Sequence, residues 1–506
     1  MGNAIPGFQG SDTSWPEVTI YTHGDDPIVL SPEGGLGSVL SGQKASDAAP
    51  SIVSVQTQKS LGSASGSFTV AVKASQTAEN LFEYVVDDDW VDIVLYKHDE
   101  GWHVMRGLVD EIGRDRVATG NGTTVESFVI NGRDFGKIWE LTPIWFSPMA
   151  NDIVTQAVSG RVFDWVPLTS PGGAPISFLR DFLEELSTFD GPNWELPVGI
   201  PGTLPISLIN NVDFGEDIQG NSKWYQDIPP KTQFNLNALN PNGMVWQLAR
   251  EYSDAQFTEM YVDMLPGGDP FSDDIANGTS LQPIDMKMTV VLRDKPFPVL
   301  QSSVPGWIPT WDDLPVQTVQ RQEILSDNVS KSGYERYNAF FAAPRLLQEA
   351  MGSYALETQA ALVDKESIKR HGLRRMDVQS NVQPGGTTLI DAKLMAEWQR
   401  NLLRDWYCLN PYMLSGTFGL GHGRPDLKIG CRMRIPGQVK ELTGIEADEQ
   451  YYIESVGNSW QAGTGMRTTV GVTRGWIGDD ADYIAELLLA AARYSLTELK
   501  VAIPGT

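Results

Sequence analysis

The sequence predicts a mainly β protein of the α+β class, with two antiparallel β-barrel domains, a mixed connecting domain, and inserted and terminal helices. Three observations lead there. A ladder of strands at Asp89–Leu95, Trp102–Asp110 and Phe128–Asp134 is echoed far downstream at Ile429–Ile435, Tyr451–Asn458 and Val470–Gly475. Each copy has a strand, a turn with acidic residues, a strand ending in Val and Asp or Asn, a turn, and a last strand closed by Gly and Arg. Period-two alternation recurs through both regions, and helical periodicity is confined to a few segments. A chain of 506 residues has ample core for two to four domains.

In chain order, Val18–Tyr21 reads as a strand, followed by a Gly/Ser/Pro-rich stretch to Pro50. Alternation is cleanest at Ser67–Lys73, which sets Phe68, Val70 and Val72 on one face, and Val53 and Val55 alternate on the strand before it. Asn121-Gly122 is a hairpin-turn signal. The first domain, 1–138, thus reads as a small antiparallel barrel or sandwich. Residues 139–255 form the connecting domain, with short helical segments at Phe178–Ser187 and Gly243–Tyr252 among long loops. The second barrel domain, 256–478, has strands at Phe257–Asp263, Met286–Arg293 and Met413–Phe418, and a Pro- and Trp-rich loop at 296–316. Within it a helix at 391–407 carries Leu394, Met395, Trp398, Leu402 and Trp406 as one apolar stripe. Residues 479–506 hold a terminal helix, Tyr483–Lys500, with Ile484, Leu487, Leu488 and Ala491 on a face that something must bury.

The formal net charge of −26 argues against a protein that grips nucleic acid, because phosphate binding needs clustered Lys and Arg. A negative wall lets a polyanion slide past without sticking. No apolar run reaches the length of a membrane span, and the opening residues lack signal character, so no stable membrane association is expected. Pro6 stands where a myristoylation signal needs Ser or Thr. The two cysteines, Cys408 and Cys431, read as buried thiols of a chain made in a reducing cytoplasm. The Asn-x-Thr triplets at Asn121 and Asn277 then read as turns.

Candidate chemistry is sparse. His98, Asp99, Glu100 and His103 are close enough in sequence to suggest a metal, yet a solvated hairpin turn fits better, since no further ligand follows at zinc spacing. Asp87, Asp88, Asp89 and Asp92 lack the Gly-punctuated spacing of a calcium loop. Gly419–Arg424 resembles a phosphate cradle only superficially: no Lys-Ser/Thr follows, and it joins strands. Gly62–Gly66 puts Ala64 where a nucleophile elbow needs Ser. Five histidines without convincing partners do not support a triad. No catalytic, cofactor-binding or metal residue is assigned, and no enzyme activity is expected. Arg106, Asp110, Arg133 and Asp134 are different: charges within apolar strands suit an Arg–carboxylate pair that fixes register or crosses a subunit boundary, or else ordinary surface pairs.

Taken in order, Pro50–Leu61, Gly66–Val72, Asp89–Ile93, Arg106–Asp110 and Ile130–Phe135 resemble the first domain of phage baseplate hub proteins. Thr289–Phe297, Ser367–Arg374, Arg424–Gly430, Tyr451–Trp460 and Thr468–Gly475 follow in that family's order. The resemblance spans about residues 50–476. It implies two tail-tube-like barrels per chain and a homotrimer whose ring is nearly six-fold by domain. Such a ring joins a tail tube or tube adaptor to a central spike, contacts wedge or other baseplate proteins, and surrounds the path of the tape-measure protein and of DNA. The implied location is the virion tail baseplate, after assembly in the host cytoplasm. The terminal helix, the 296–316 loop and the long connecting domain depart from the family pattern, which leaves the outer contacts open. Two rival functions stand beside this one. The first is a tail-associated peptidoglycan hydrolase, with 139–255 as its catalytic part. The second is a receptor-binding or fibre-attachment protein, suggested by the Trp-bearing loop.

Overall fold

The computed structural model describes residues 14–22, 27–31, 52–73, 84–97, 100–118, 124–141, 207–211, 244, 246–247, 250, 256–266, 286–296, 314–344, 360–380, 389–439, 446–478 and 480–498. Most of these are antiparallel strands. The first group is β1 (Ser14–Tyr21), β2 (Ile28–Leu30), β3 (Ile52–Ser60), β4 (Ser67–Lys73), β5 (Trp90–Lys97), β6 (Glu100–Ala118) and β7 (Thr124–Asp134), closed by a short helix α1 (Lys137–Leu141). Strands β8 (Ser207–Asn211), β9 (Thr258–Pro266) and β10 (Met286–Asp294) pair among themselves in a three-stranded sheet. Then come β11 (Val316–Thr318), β12 (Ile324–Lys331), β13 (Ala339–Pro344), β14 (Ala360–Val363), α2 (Lys365–His371), β15 (Arg375–Ser380) and α3 (Leu389–Tyr407). The chain ends with β16 (Leu414–Leu420), β17 (Arg432–Val439), β18 (Glu446–Gln461), β19 (Gly465–Ile477), α4 (Asp480–Ala491) and β20 (Ser495–Glu498).

The pairing shows a repeat. In the first copy the spatial order is β3-β4-β7-β6-β5-β1, and in the second it is β12-β16-β19-β18-β17-β11. The sequence order of these strands is also the same in both. Bulges fall at two matching places: at Val53 on β3 and Leu325 on β12, and at Asp110 on β6 and Glu454 on β18. A bulge re-aims a strand by one residue, so two coincident bulges in the same strand order mark one backbone plan used twice. The ladder that recurs in the sequence is therefore a structural duplication. Its copies differ at one flank, where β1 runs antiparallel to β5 but β11 runs parallel to β17. They also differ in their connections. A turn of a few residues joins β3 to β4, whereas β13–β15, α2 and α3 lie between β12 and β16.

Neither copy closes into a barrel among the described residues, which corrects the expectation of two separate barrels. Strand β3 pairs instead with the second half of β18, from Ser455↔Ser60 to Gln461↔Ser54, so the two copies form one 13-stranded sheet. Alternation shows which face a strand buries but not which strand its edge will find, and here the edge finds the other copy. Each copy keeps its own core. Val18, Ile20, Val55, Phe68, Val70, Val72, Ile93 and Ile130 belong to the first, and Phe418, Ile429, Met433, Ile435, Ile453 and Val470 to the second.

In the insertion, β15-β13-β14-β20 form a four-stranded sheet. Helix α3 lies where expected, with Leu402 and Trp406 buried. The terminal helix does not run to Lys500: α4 ends at Ala491, and Ser495–Glu498 joins β14 as β20. The edge of β14 gives those residues backbone hydrogen-bond partners within the protein. The buried face of α4 matches the expected one only in Leu487 and Ala491. Tyr483, Leu487, Ala490 and Ala491 pack on Cys408, Leu409 and Met413, and Ile484 and Leu488 are exposed. The expected helices at 178–187 and the loop over 297–313 lie outside the described residues, as does nearly all of Gly243–Tyr252.

Candidate functional site

The two copies meet at a seam where β3 pairs with β18. Its register is held by an unbroken run of pairs from Ser60 to Ser54, and two backbone bonds extend it, Leu61 N to Glu454 O and Ala462 N to Val53 O, both 2.9 Å. Trp460 on β18 is buried in the first copy's core rather than its own. Its indole Nε1 donates to Ser14 O at 2.9 Å, which satisfies the one polar atom that burial strands. Lys97 at the end of β5 reaches across to donate to Gly423 O at 2.8 Å.

A cluster of buried charges sits beside the seam. Lys59 on β3 is only 7% exposed. Its Nζ donates to Asp263 Oδ1 on β9 at 2.9 Å and lies 3.8 Å from Asp134 Oδ2 at the end of β7. The first contact is a charge-assisted hydrogen bond and the second an ion pair without one. Asp134 Oδ1 accepts Gly136 N at 3.0 Å. Burial pushes the Asp134 carboxyl up to about 6, against the pull of Lys59 and of the Gly66 and Gly136 amides. Lys428, in the loop before β17, belongs to the same buried group. Burial lowers its pKa, opposed by the attraction of Asp263. Two cations and two anions from four separate segments thus meet where three parts of the fold join. A pair this dry contributes less to net stability than to fixing which partner and which register are allowed.

The four charges singled out in the strands separate into three arrangements. Asp92 and Arg106 are cross-strand partners on β5 and β6. The guanidinium grips both carboxylate oxygens, at 2.6 and 2.7 Å, with both residues buried. Tyr21 donates to the same carboxylate at 3.2 Å, and His103 Nε2 lies 3.2 Å from it. Burial alone would raise the Asp92 pKa, but His103 and Arg106 outweigh it and hold the carboxyl well below its ordinary value. Arg133 pairs with Asp110 at 2.9 Å and with Glu140 at 2.7 Å, half in solvent. Asp134 joins the seam cluster. The expected register-fixing pair is therefore present inside the chain.

The remaining candidates disperse. Asp89 accepts Val86 N at 2.8 Å and caps its own turn, and Asp88 pairs with Lys137 at 2.6 Å. His98 and Asp99 lie outside the described residues. No group of three or more potential metal ligands occurs among the described residues. The Gly419–Arg424 segment is a strand-connecting turn, with Arg424 N bonded to Thr468 Oγ1 at 2.7 Å and its guanidinium held by Asp426 and Glu323. Cys408 and Cys431 are free and buried, as expected, and burial pushes the Cys408 thiol up to about 12. Among the described residues no helix is long and apolar enough to cross a membrane.

Sequence reading missed Lys59, Asp263, Lys428 and Trp460 as a group. Lys59 was the one available signal, since it occupies a core-facing position of an alternating strand.

The described fold is that of a duplicated β module joined edge to edge. No protein-family model matches the chain, and no curated protein does. Among solved structures it is similar to a tail protein from Neisseria meningitidis MC58, at 10% identity and TM-score 0.47, over 90% of this chain and 96% of that one. It is also similar to the 43 kDa tail protein of prophage MuSo2 from Shewanella oneidensis, at 12% identity and TM-score 0.45, over 90% and 98%. A third is an E. coli component of the type VI secretion system, at 8% identity and TM-score 0.38, over 84% and 73%.

Proposed function

We propose that this chain is a non-enzymatic structural protein, the baseplate hub of a phage tail or related injection machine, and that it works as a homotrimer. One observation carries the reading: a duplicated module whose copies lie side by side in a single sheet. Three chains then supply six near-equivalent modules, which suits an adaptor between a six-fold tail tube and a three-fold spike. The order of motifs along the sequence supports the same role. In it the ring surrounds the path of the tape-measure protein and DNA, touches tube, spike and wedge proteins, and belongs to the tail baseplate of the virion. The strong negative charge suits a channel wall that does not retain DNA.

Imaging and light scattering of the purified chain test this. A three-fold ring with a central hole is the expected result. A chain that stays monomeric alone and with its tube and spike partners overturns the reading.

A further inference from the structure

The seam between the two copies has a counterpart that is half built within one chain. Matching the bulges sets β3 on β12 and β18 on β6, residue by residue: Val53 on Leu325, Thr57 on Val329, Lys59 on Lys331, Glu454 on Asp110 and Gly457 on Gly113. Within the chain, β3 is paired on both sides, by β4 and β18. Among the described residues its counterpart β12 pairs only with β16, and its outer edge is open. Likewise β18 carries β17 along its first half and β3 along its second. Strand β6 carries β5 along its first half, but beyond Asp110 it pairs only with β7 among the described residues. Among the described residues each chain therefore shows two unpaired strand edges, on opposite copies of the module.

We infer that β12 of one chain adds to the second half of β6 of the next, antiparallel and in the register of the internal seam. This rests on the proposed ring and names the contact that would close it. Carried over pair by pair, the internal register sets Ile112 against Lys331, Gly113 against Ser330, Asp115 against Asn328, and Arg116 against Asp327. The occupant is a second copy of this chain because the surface it must match already exists in the chain as β3 on β18. The substitutions between the two seams fit the change from fold to assembly. Inside the chain, Trp460 stands opposite Val55, an apolar pair that never meets water. At the open seam the same two positions hold Arg116 and Asp327. The exposed Asp327 keeps the β12 edge soluble before assembly, and a pairing of opposite formal charges discourages wrong partners. A contact of this kind, with different surfaces on its two sides, repeats until it closes on itself.

Cysteine pairing tests the register directly. A Cβ at Gly113 meets only Val129 O, at 3.8 Å, so Gly113→Cys is accommodated, and Ser330 is exposed. The native cysteines are both buried. Under mild oxidation the Gly113→Cys/Ser330→Cys chain is expected to give linked species that end at three chains, and neither single variant gives any. Charge exchange supplies a second readout. Asp327→Arg weakens the trimer about tenfold, and adding Arg116→Asp restores it. A trimer by light scattering that neither cross-links nor responds to Asp327→Arg overturns this seam and leaves the ring intact. A chain monomeric under all conditions, its tail partners included, overturns both.

Discussion

The first copy of the module buries its leading strand, β3, while the second leaves the counterpart, β12, in solvent. Val55 and Lys59 on β3 are nearly inaccessible, whereas Asp327 and Lys331 at the matching positions are exposed. The backbone plan is the same, so the difference lies in the neighbour. Strand β3 has β18 beside it and can carry an apolar residue where β12 carries Asp. An open edge is an aggregation hazard, and charge on it is the common remedy. The comparison teaches that one strand of a repeat can be written as core or as surface according to what stands next to it.

The largest expected effect removes that neighbour's anchor. Trp460→Ala takes out an indole that the second copy lodges in the first copy's core, and it frees Ser14 O. A loss of about 3–5 kcal/mol is expected, and denaturant unfolding should separate into two transitions as the copies uncouple. A single transition with unchanged midpoint would mean that the seam does not couple them. Next in size is Arg106→Leu, which strips the buried Asp92 of its bidentate guanidinium and leaves it only Tyr21 and His103, at a cost of about 3 kcal/mol. Adding Asp92→Leu should recover most of the loss, measured by a double-mutant cycle on denaturation midpoints. No recovery would mean that the pair does more than balance charge.

Much of this contrast was readable beforehand. The ladders at 89–134 and 429–475 appear as β5-β6-β7 and β17-β18-β19, and Ser67–Lys73 matches β4 in both limits. Those strands alternate because one face of each meets a core of its own copy. The partner of β3 was not readable. Ile324–Lys331 shows no alternation, since its sequence answers to solvent, and a long insertion separates it from β16, so β12 does not look like β3 in the sequence. The buried charges were partly readable. Arg106 is legible as a cation in an apolar strand, but in the sequence its partner Asp92 reads as part of the acidic run that begins at Asp87. Lys59, Asp263 and Lys428 come from segments far apart in the chain, and only the fold brings them together.

A volume exchange between the copies offers a smaller effect and a sharper comparison. Phe68 stands opposite Gly132 in the first copy, and the matching pair in the second is Gly416 opposite Val472. Each site holds one large side chain and one glycine, in reversed order. A Cβ at Gly132 would fall 2.3 Å from both Leu108 O and the Phe68 ring. Gly132→Val should therefore cost about 1–3 kcal/mol by overpacking. Combining it with Phe68→Gly imitates the second copy and should recover part of that cost in thermal denaturation. If the double variant is worse than the sum of the two changes, the copies are not interchangeable at this layer.

The smallest effect concerns pH and the seam-cluster carboxyl that burial makes reluctant to ionise. Asp134 is raised from its ordinary 3.8 to about 6 by burial, against Lys59 and two backbone amides. Between those values the folded chain holds a proton that the unfolded chain has released. The stability linked to that proton is fully present below about 4 and is lost as pH rises through 6, with a slope of at most about 1.4 kcal/mol per pH unit. Asp134→Asn keeps the side chain's size and removes the titration. The difference in denaturation midpoint between the two proteins should therefore change between pH 4 and 6 and stay level above it. A difference that stays constant across that window would show that Asp134 is ionised throughout, with Lys59 holding two carboxylates at once in the dry join between the copies.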